Sequence, residues 1–218
     1  IYFHFFKKIN KKYLELCYLA LILIIFQGVI GWYMVKSGLI NNTTVSHYRL
    51  SLHLCVALII FSIIFWMIIN IKNNTYLNFF NINKKNNYFL VLIVLLFLQI
   101  VLGAFVSGLD AGKIYQSWPL MDRSYFPDDI VLIDIKSLTD FNNHSIVQFY
   151  HRNLAYIITA YVLILIYYNF KNKMTNLYKP ALILLIVLLL QVLLGILTLL
   201  SDLNILLASS HQITSVLF

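Results

Sequence analysis

Five runs of mostly apolar residues dominate this 218-residue sequence. Each is long enough to cross the hydrocarbon core of a bilayer as a helix of about 20 residues. Because lipid offers no hydrogen bonds to the backbone, only helices and closed barrels span membranes. The composition agrees, since 61% of the residues are hydrophobic and 11% are charged, whereas about a quarter are charged in soluble domains. We predict an all-α membrane protein, an antiparallel bundle of transmembrane helices near 14–35, 47–70, 88–107, 146–169 and 178–201, with a sixth helix from about 206.

The basic residues predict which ends of these helices face which side of the membrane. Ten of the sixteen lie before the first run and in the second and fourth connections. The positive-inside rule places those segments on the cytoplasmic or matrix side. The polar sequence GLDAGKIYQSWPLM (108–121) then lies on the outer face.

A short motif recurs near the end of three runs, as QGVIG at 27–31, QIVLG at 99–103 and QVLLG at 191–195. Glycine permits close helix approach, and a glutamine amide can form a hydrogen bond across helices. Helix packing is therefore the direct role we expect for these residues. The recurrence predicts a chain built from repeated helical hairpins.

Three histidines follow the same repeat, because His53, His151 and His211 each lie a few residues into the second helix of a hairpin. Their depth is about two turns below the outer surface, where an ionisable side chain is costly and is taken as functional by default. Two imidazoles on facing helices can bind a haem iron axially. A non-haem metal or a proton relay is less favoured, since no acids lie beside these histidines within the helices. A helix–helix hydrogen bond is the alternative without a ligand.

Two arginines lie close to these histidines, Arg49 before His53 and Arg152 directly after His151. Arginine pairs well with carboxylates, and haem carries two propionates. The alternative is an arginine that anchors its helix at the membrane surface.

The order of the hairpins predicts a missing segment. The hairpin with His151 precedes the one with His211, so by symmetry another hairpin with its own histidine should precede the one with His53. The sequence begins at Ile1 and ends inside an apolar run at Phe218, and we expect a fragment. The complete protein would have eight helices in two similar halves. Residues 1–87 would be the remainder of the first half, and residues 88–218 the second half with its last helix truncated.

Five stretches together resemble haem A synthase of the alphaproteobacterial and mitochondrial type. They are QGVIGWYMVKSGL (27–39), VSHYRLSLHL (45–54), GAFVSGLDAGKIYQSWPLMD (103–122), QFYHRNLAY (148–156) and HQ (211–212). The resemblance covers nearly the whole chain in the family's order. HQ alone is weak, whereas the 103–122 and 148–156 motifs are strong. HRN replaces the family's commoner HRM.

The resemblance implies a haem b cofactor in the second half, held by His151 and His211, and the substrate haem O in the first half, with His53 as one iron ligand. The family oxidises a ring methyl of haem O to a formyl group, starting with hydroxylation, and makes haem A for cytochrome c oxidase. The catalytic residues are not identified, because the family's glutamate and another histidine belong to helices that precede this chain. The fragment alone is expected to be inactive.

The resemblance also implies partners and a location. The chain should lie in membrane lipid, in a mitochondrial inner membrane or a bacterial plasma membrane. An outside electron donor is needed, for which a ferredoxin is one candidate. Haem O synthase and a second copy of the chain are candidate partners, and no nucleic acid is expected.

The 108–121 loop is interpreted as a lid over the second-half haem, with a purely structural turn as the alternative. Gly108 is expected to end its helix, Asp110 to cap or brace the turn, and Trp118 to lie in the interfacial belt.

Two other functions are alternatives to the synthase. A dihaem cytochrome b-like electron-transfer protein needs the same histidine pairs, but the motifs favour the synthase. A transporter with inverted repeats predicts broken helices and a polar site at the membrane midplane, and the sequence has neither.

Overall fold

A computed structural model describes residues 11–38, 44–73, 75, 87–130 and 134–216. Their regular structure is helical, which confirms the predicted all-α class. The helices are α1 (Lys11–Val35), α2 (His47–Lys72), α3 (Asn87–Gly108), the short α4 (Ile135–Thr139), α5 (His144–Lys171), α6 (Tyr178–Leu200) and α7 (Ile205–Ser215). Lys7, Lys8, Lys84, Lys85 and Phe218, which entered the predictions, lie outside the described residues.

Five of these segments are long and apolar enough to cross a membrane. They are Tyr13–Val35, His47–Lys72, Asn87–Gly108, His144–Lys171 and Thr175–Leu200. They coincide with the five predicted runs to within a few residues. The protein is therefore an integral membrane protein. The segment that contains α5 is the least apolar of the five, because it carries the polar residues of the 148–156 motif.

The chain divides into two compact units, Ile1–Asn87 and Tyr88–Phe218. In the first unit α1 and α2 pack as a hairpin around Ile30, Val56 and Ile60. In the second unit α6 packs against both α5 and α7. Its two buried clusters comprise Leu92, Ile158, Val162, Leu165 and Leu188, and Phe105, Ile130, Ile146 and Val147.

Asparagine caps fix where two of the histidine-bearing helices begin. The Asn143 side chain accepts hydrogen bonds from the backbone amides of Ser145 and Ile146 at the start of α5. The Asn204 side chain accepts one from the amide of Leu206 at the start of α7. These bonds satisfy amides that have no partner inside the helix. The caps therefore set the register of the histidine that follows in each helix.

Candidate functional site

The three singled-out histidines occupy equivalent positions in their helices. His53, His151 and His211 come six or seven residues after the first residue of α2, α5 and α7. Each side chain is partly buried. At 1.5 Å per residue, each imidazole lies about 10 Å along the helix from its start.

The glycine of the repeated motif lies against the imidazole of the following helix in all three hairpins. A β-carbon built on the glycine would lie close to the Cε1 atom of the ring. The distances are 3.2 Å for Gly31 and His53, 3.1 Å for Gly103 and His151, and 3.1 Å for Gly195 and His211. Cε1 is the nearest ring atom each time and Nδ1 is the next nearest, so the three rings turn the same edge toward glycine. The imidazole fills the space that a side chain would need.

The glutamine of the motif binds the same histidine through its backbone. In each hairpin the Nε2 amide donates to the histidine carbonyl oxygen. The distances are 2.9 Å from Gln27 to His53, 3.1 Å from Gln99 to His151 and 3.2 Å from Gln191 to His211. Glutamine and glycine are four residues apart, one helical turn, so both face the neighbouring helix. We call each trio a Gln–Gly–His unit.

These partnerships were not predicted from the sequence. Hydrogen bonds from the amides across helices were expected, and the structure confirms them. The pattern did not indicate that the partners are the histidines. The shared order of the residues was the available signal, since each Gln-xxx-Gly motif precedes its histidine by one loop.

The two ring nitrogens have different surroundings. In each ring Nε2 is the nitrogen farther from the glycine. Nδ1 of His53 and Nδ1 of His211 are buried and have no hydrogen-bond partner among the described residues. In the middle hairpin, Nε2 of Gln99 lies 3.2 Å from Nδ1 of His151. His151 and His211 both belong to the second unit, on α5 and α7, and each of those helices packs against α6.

Arg152 binds the backbone of the 108–121 loop. Its Nη2 donates to the carbonyl of Tyr115 at 2.8 Å, and its Nη1 donates to those of Ser117 and Leu120 at 2.9 and 3.3 Å. Its Nε is buried and has no partner within the described part of the chain. The guanidinium is thus held by three neutral oxygens, while the buried Nε–H has no acceptor among the described residues.

A stripe of α5 side chains holds the segment that runs from Tyr115 to Asp129. The members follow the spacing i, i+3, i+4, i+8 and i+11, which places them on one face of the helix. They include Ser145, which donates to Asp129 at 2.8 Å, Gln148, which donates to the Tyr115 carbonyl at 2.9 Å, Phe149, whose ring packs against Phe126, Asn153, which accepts from Tyr125, and Tyr156, which accepts from Trp118 at 2.9 Å. The segment is fixed along the helix that carries His151.

Tyr115 anchors this segment from inside. Its buried hydroxyl donates to Asp129 at 3.0 Å. Burial raises the pKa of the Tyr115 phenol, and the hydrogen bond to the Asp129 carboxylate raises it further. The hydroxyl therefore stays protonated and remains a donor at neutral pH.

The 108–121 loop also contacts the turn before α7. Gln116 donates to Asp202 at 2.5 Å. A β-carbon on Gly112 would lie 2.8 Å from Cδ2 of Leu203, so glycine lets the loop approach that turn closely. Gly108 ends α3 as predicted, and Asp110 takes the left-handed conformation with φ of 54°. The loop thereby bridges the helix of His151 and the turn that leads to His211.

Replacement of Arg152 by lysine is expected to loosen this loop. An ammonium cannot reach three carbonyls with a planar fork, and one lost bond to a charged donor is worth about 1.5–3 kcal/mol. Backbone amides at 115–120 should exchange with deuterium at least about tenfold faster, measured by mass spectrometry in nanodiscs. Arg123→Lys, at an exposed position, is the matched control. Unchanged exchange in Arg152→Lys would contradict the assignment.

Arg49 is engaged within its own hairpin. Its Nη1 donates to the Tyr33 carbonyl at 2.7 Å, and its guanidinium lies 3.7 Å from the centre of the Tyr33 ring. Arg49 thus ties the start of α2 to the end of α1, and His53 lies one turn further along.

The family model described as cytochrome oxidase assembly protein, COX15-CtaA, matches residues 1–218. The chain belongs to this family. The match confirms the family resemblance found in the sequence, and the dihaem electron-transfer alternative is not favoured.

Curated relatives of this COX15-CtaA chain carry the name Heme A synthase. The protein of Pelagibacter ubique (strain HTCC1062) is 44% identical over 218 residues, which are 100% of this chain and 63% of the relative. That of Wolbachia pipientis wMel is 40% identical over 99% of this chain and 60% of the relative. That of Rickettsia africae (strain ESF-5) is 40% identical over 100% of this chain and 65% of the relative. The chain therefore spans about three-fifths of the length of these relatives.

Proposed function

We propose that this chain is part of a haem A synthase, an oxidoreductase that converts a ring methyl of haem O to a formyl group. The observation that carries the proposal is the threefold Gln–Gly–His unit, in which three imidazoles turn the same edge toward glycine in three hairpins. Ionisable side chains at one depth among membrane helices are functional by default. A porphyrin supplies four iron ligands, so two such rings complete the coordination.

His151 and His211 are the proposed axial ligands of a b-type haem in the second unit. Both rings turn their Cε1 atom toward glycine. Nδ1 of His211 is buried and Nδ1 of His151 lies against the Gln99 amide, so Nε2 is the nitrogen that we propose for iron. Neutral imidazole is the form that binds iron. When bound, the haem supplies one-electron redox chemistry at its iron.

Arg152 is proposed to face a haem propionate with its spare donor. The guanidinium is partly buried with neutral carbonyl partners, and its Nε lacks a partner among the described residues. A carboxylate would satisfy both the charge and that donor. Arg49 is proposed for the same role beside His53. The 108–121 loop, held by Arg152, would then cover the haem edge and keep water out.

His53 is the proposed iron ligand for haem O, in the unit Ile1–Asn87. Its Gln–Gly–His unit repeats the glutamine and glycine contacts of the other two. Its Nδ1, like that of His211, is buried without a partner among the described residues. The resemblance supplies the remaining parts of that site, a second histidine and a glutamate, from segments that precede this chain in the relatives.

The proposal extends to orientation and partners. The histidine-bearing ends of the helices face the intermembrane space or the periplasm, and Lys72, Lys171 and Lys173 lie at the opposite, cytoplasmic or matrix ends. Electrons come from an outside donor of the ferredoxin type. Haem O synthase delivers the substrate, and a second copy of the protein is a further candidate partner.

Production of the full-length protein in cells that accumulate haem O tests the function. Chromatography of extracted pigments should show haem A or its hydroxylated intermediate, and cells with an empty vector should keep haem O only. Haem O that stays unchanged beside protein-bound haem B would contradict the synthase and favour an electron-transfer role.

A further inference from the structure

In two hairpins the side-chain oxygen of the motif glutamine has no hydrogen-bond partner among the described residues. The Oε1 atoms of Gln27 and Gln99 are buried and have no hydrogen-bond partner among the described residues. Each belongs to the amide that already binds the carbonyl of its histidine. Buried polar atoms in folded proteins are almost always paired, so these oxygens point to a partner that the protein acquires in its working state.

We infer that Gln99 is a positioning residue whose amide oxygen accepts a hydrogen bond from Nδ1 of His151 when Nε2 of that ring binds iron. This inference rests on the proposed function, because it assigns the partner of a proposed iron ligand.

In the middle hairpin the Gln99 amide lies against the His151 ring. Nε2 of Gln99 lies 3.2 Å from Nδ1 of His151 and 3.5 Å from its Nε2. The two ends of an amide have the same shape, and a half-turn about the Cγ–Cδ bond exchanges oxygen and nitrogen. The exchange places Oε1 within hydrogen-bond distance of Nδ1, at the position where Nε2 now lies 3.1 Å from the His151 carbonyl oxygen. Because two acceptor oxygens repel each other, the amide must also move away from that carbonyl, which keeps its helical hydrogen bond within α5.

Iron binding by His151 through Nε2 favours this rotation of the Gln99 amide. A neutral imidazole that binds iron through Nε2 carries its proton on Nδ1, and metal-bound histidines usually donate that proton to a nearby acceptor. An amide nitrogen is a donor and cannot serve. The unpaired Oε1 of the same amide is the acceptor at hand.

The third hairpin differs and provides the contrast. The Gln191 amide donates to the Thr214 hydroxyl as well as to the His211 carbonyl, and its oxygen is not among the buried unpaired atoms. His211 keeps its Nδ1 buried without a partner among the described residues. Of the two proposed ligands of the cofactor haem, only His151 then has its ring nitrogen paired by the motif glutamine.

The test compares Gln99→Leu, Gln99→Glu and Gln191→Leu in the full-length, haem-loaded protein. A hydrogen bond from Nδ1 strengthens the imidazole as an electron donor and stabilises ferric iron. Gln99→Leu should therefore raise the midpoint potential of the b-haem and shift its electron paramagnetic resonance signal. Gln99→Glu offers a stronger acceptor and should lower the potential. Gln191→Leu should shift the potential less than Gln99→Leu does, because the Gln191 amide is already engaged by Thr214 and the His211 carbonyl.

The outcomes separate this inference from the proposed function. Equal potentials in wild type and both Gln99 variants would overturn the inference, as would an equal shift in Gln191→Leu or loss of haem from Gln99→Glu. A wild-type protein without a low-spin, bis-histidine haem would instead contradict the proposed function. If Gln99→Leu does not fold, the lowered potential of Gln99→Glu still decides.

Discussion

Alanine at His151 or His211 is expected to abolish the low-spin b-haem spectrum of the full-length protein. Each ring is a proposed iron ligand, and its removal would take away one of the two side chains that would hold the haem. The absorption bands of reduced haem should weaken or shift, and the haem recovered per protein should fall at least about tenfold, in line with the loss of a metal ligand or of its supporting shell. Optical spectra and pyridine haemochrome assays of purified protein measure both.

His144→Ala is the matched control for this experiment. His144 is the first residue of α5 and is exposed, and it lies on the same helix as His151. Its replacement should leave the spectrum and the haem content unchanged. An unaltered low-spin spectrum in both His151→Ala and His211→Ala would exclude these residues as the ligands.

Alanine at Gly103 or Gly195 should disturb the same haem without touching a ligand. The new methyl group would lie 3.1 Å from the Cε1 atom of His151 or His211, and the ring must shift by a few tenths of an ångström. Overpacking of this kind costs about 1–3 kcal/mol, against a helix-propensity gain of about 1 kcal/mol for alanine over glycine. Since an iron-bound ring cannot turn aside, the holoprotein should melt at a lower temperature and lose haem faster on dilution.

Gly28→Ala controls for the helix effect. Gly28 lies one turn from Gly31 in α1, and a β-carbon there would meet nothing within 4 Å. Its replacement should be neutral or slightly stabilising, as measured by thermal unfolding in detergent. Gly103→Ala that retains haem as firmly as Gly28→Ala would show that the glycine does not shape the imidazole site.

The sequence predicted the helices well because lipid imposes a simple rule. A spanning segment must be apolar and about 20 residues long, and α1, α2, α3, α5 and α6 obey it. The short α4 was missed, since one turn and a half of helix leaves no periodic pattern to detect. The similar depths of the histidines followed from counting residues along each run.

The contacts of the site could not be predicted in the same way. Arg152 was expected at a haem propionate or at the membrane surface, and in the structure three of its contacts are carbonyls of the loop that includes Ser117. Such contacts join segments more than 30 residues apart and depend on the path of the loop. The partnership of Gln99 with His151 was hidden for the same reason, because a sequence shows which residues share a helix face but not what that face meets.

The self-contained hairpin has a consequence for ancestry. The glutamine, the glycine and the histidine of each trio lie on two consecutive helices, so duplication of one gene segment copies an entire Gln–Gly–His unit. Tandem duplication then multiplies these units without any new residue having to arise elsewhere. Later substitutions, as at Thr214 beside Gln191, can specialise one unit while the other units keep the inherited geometry.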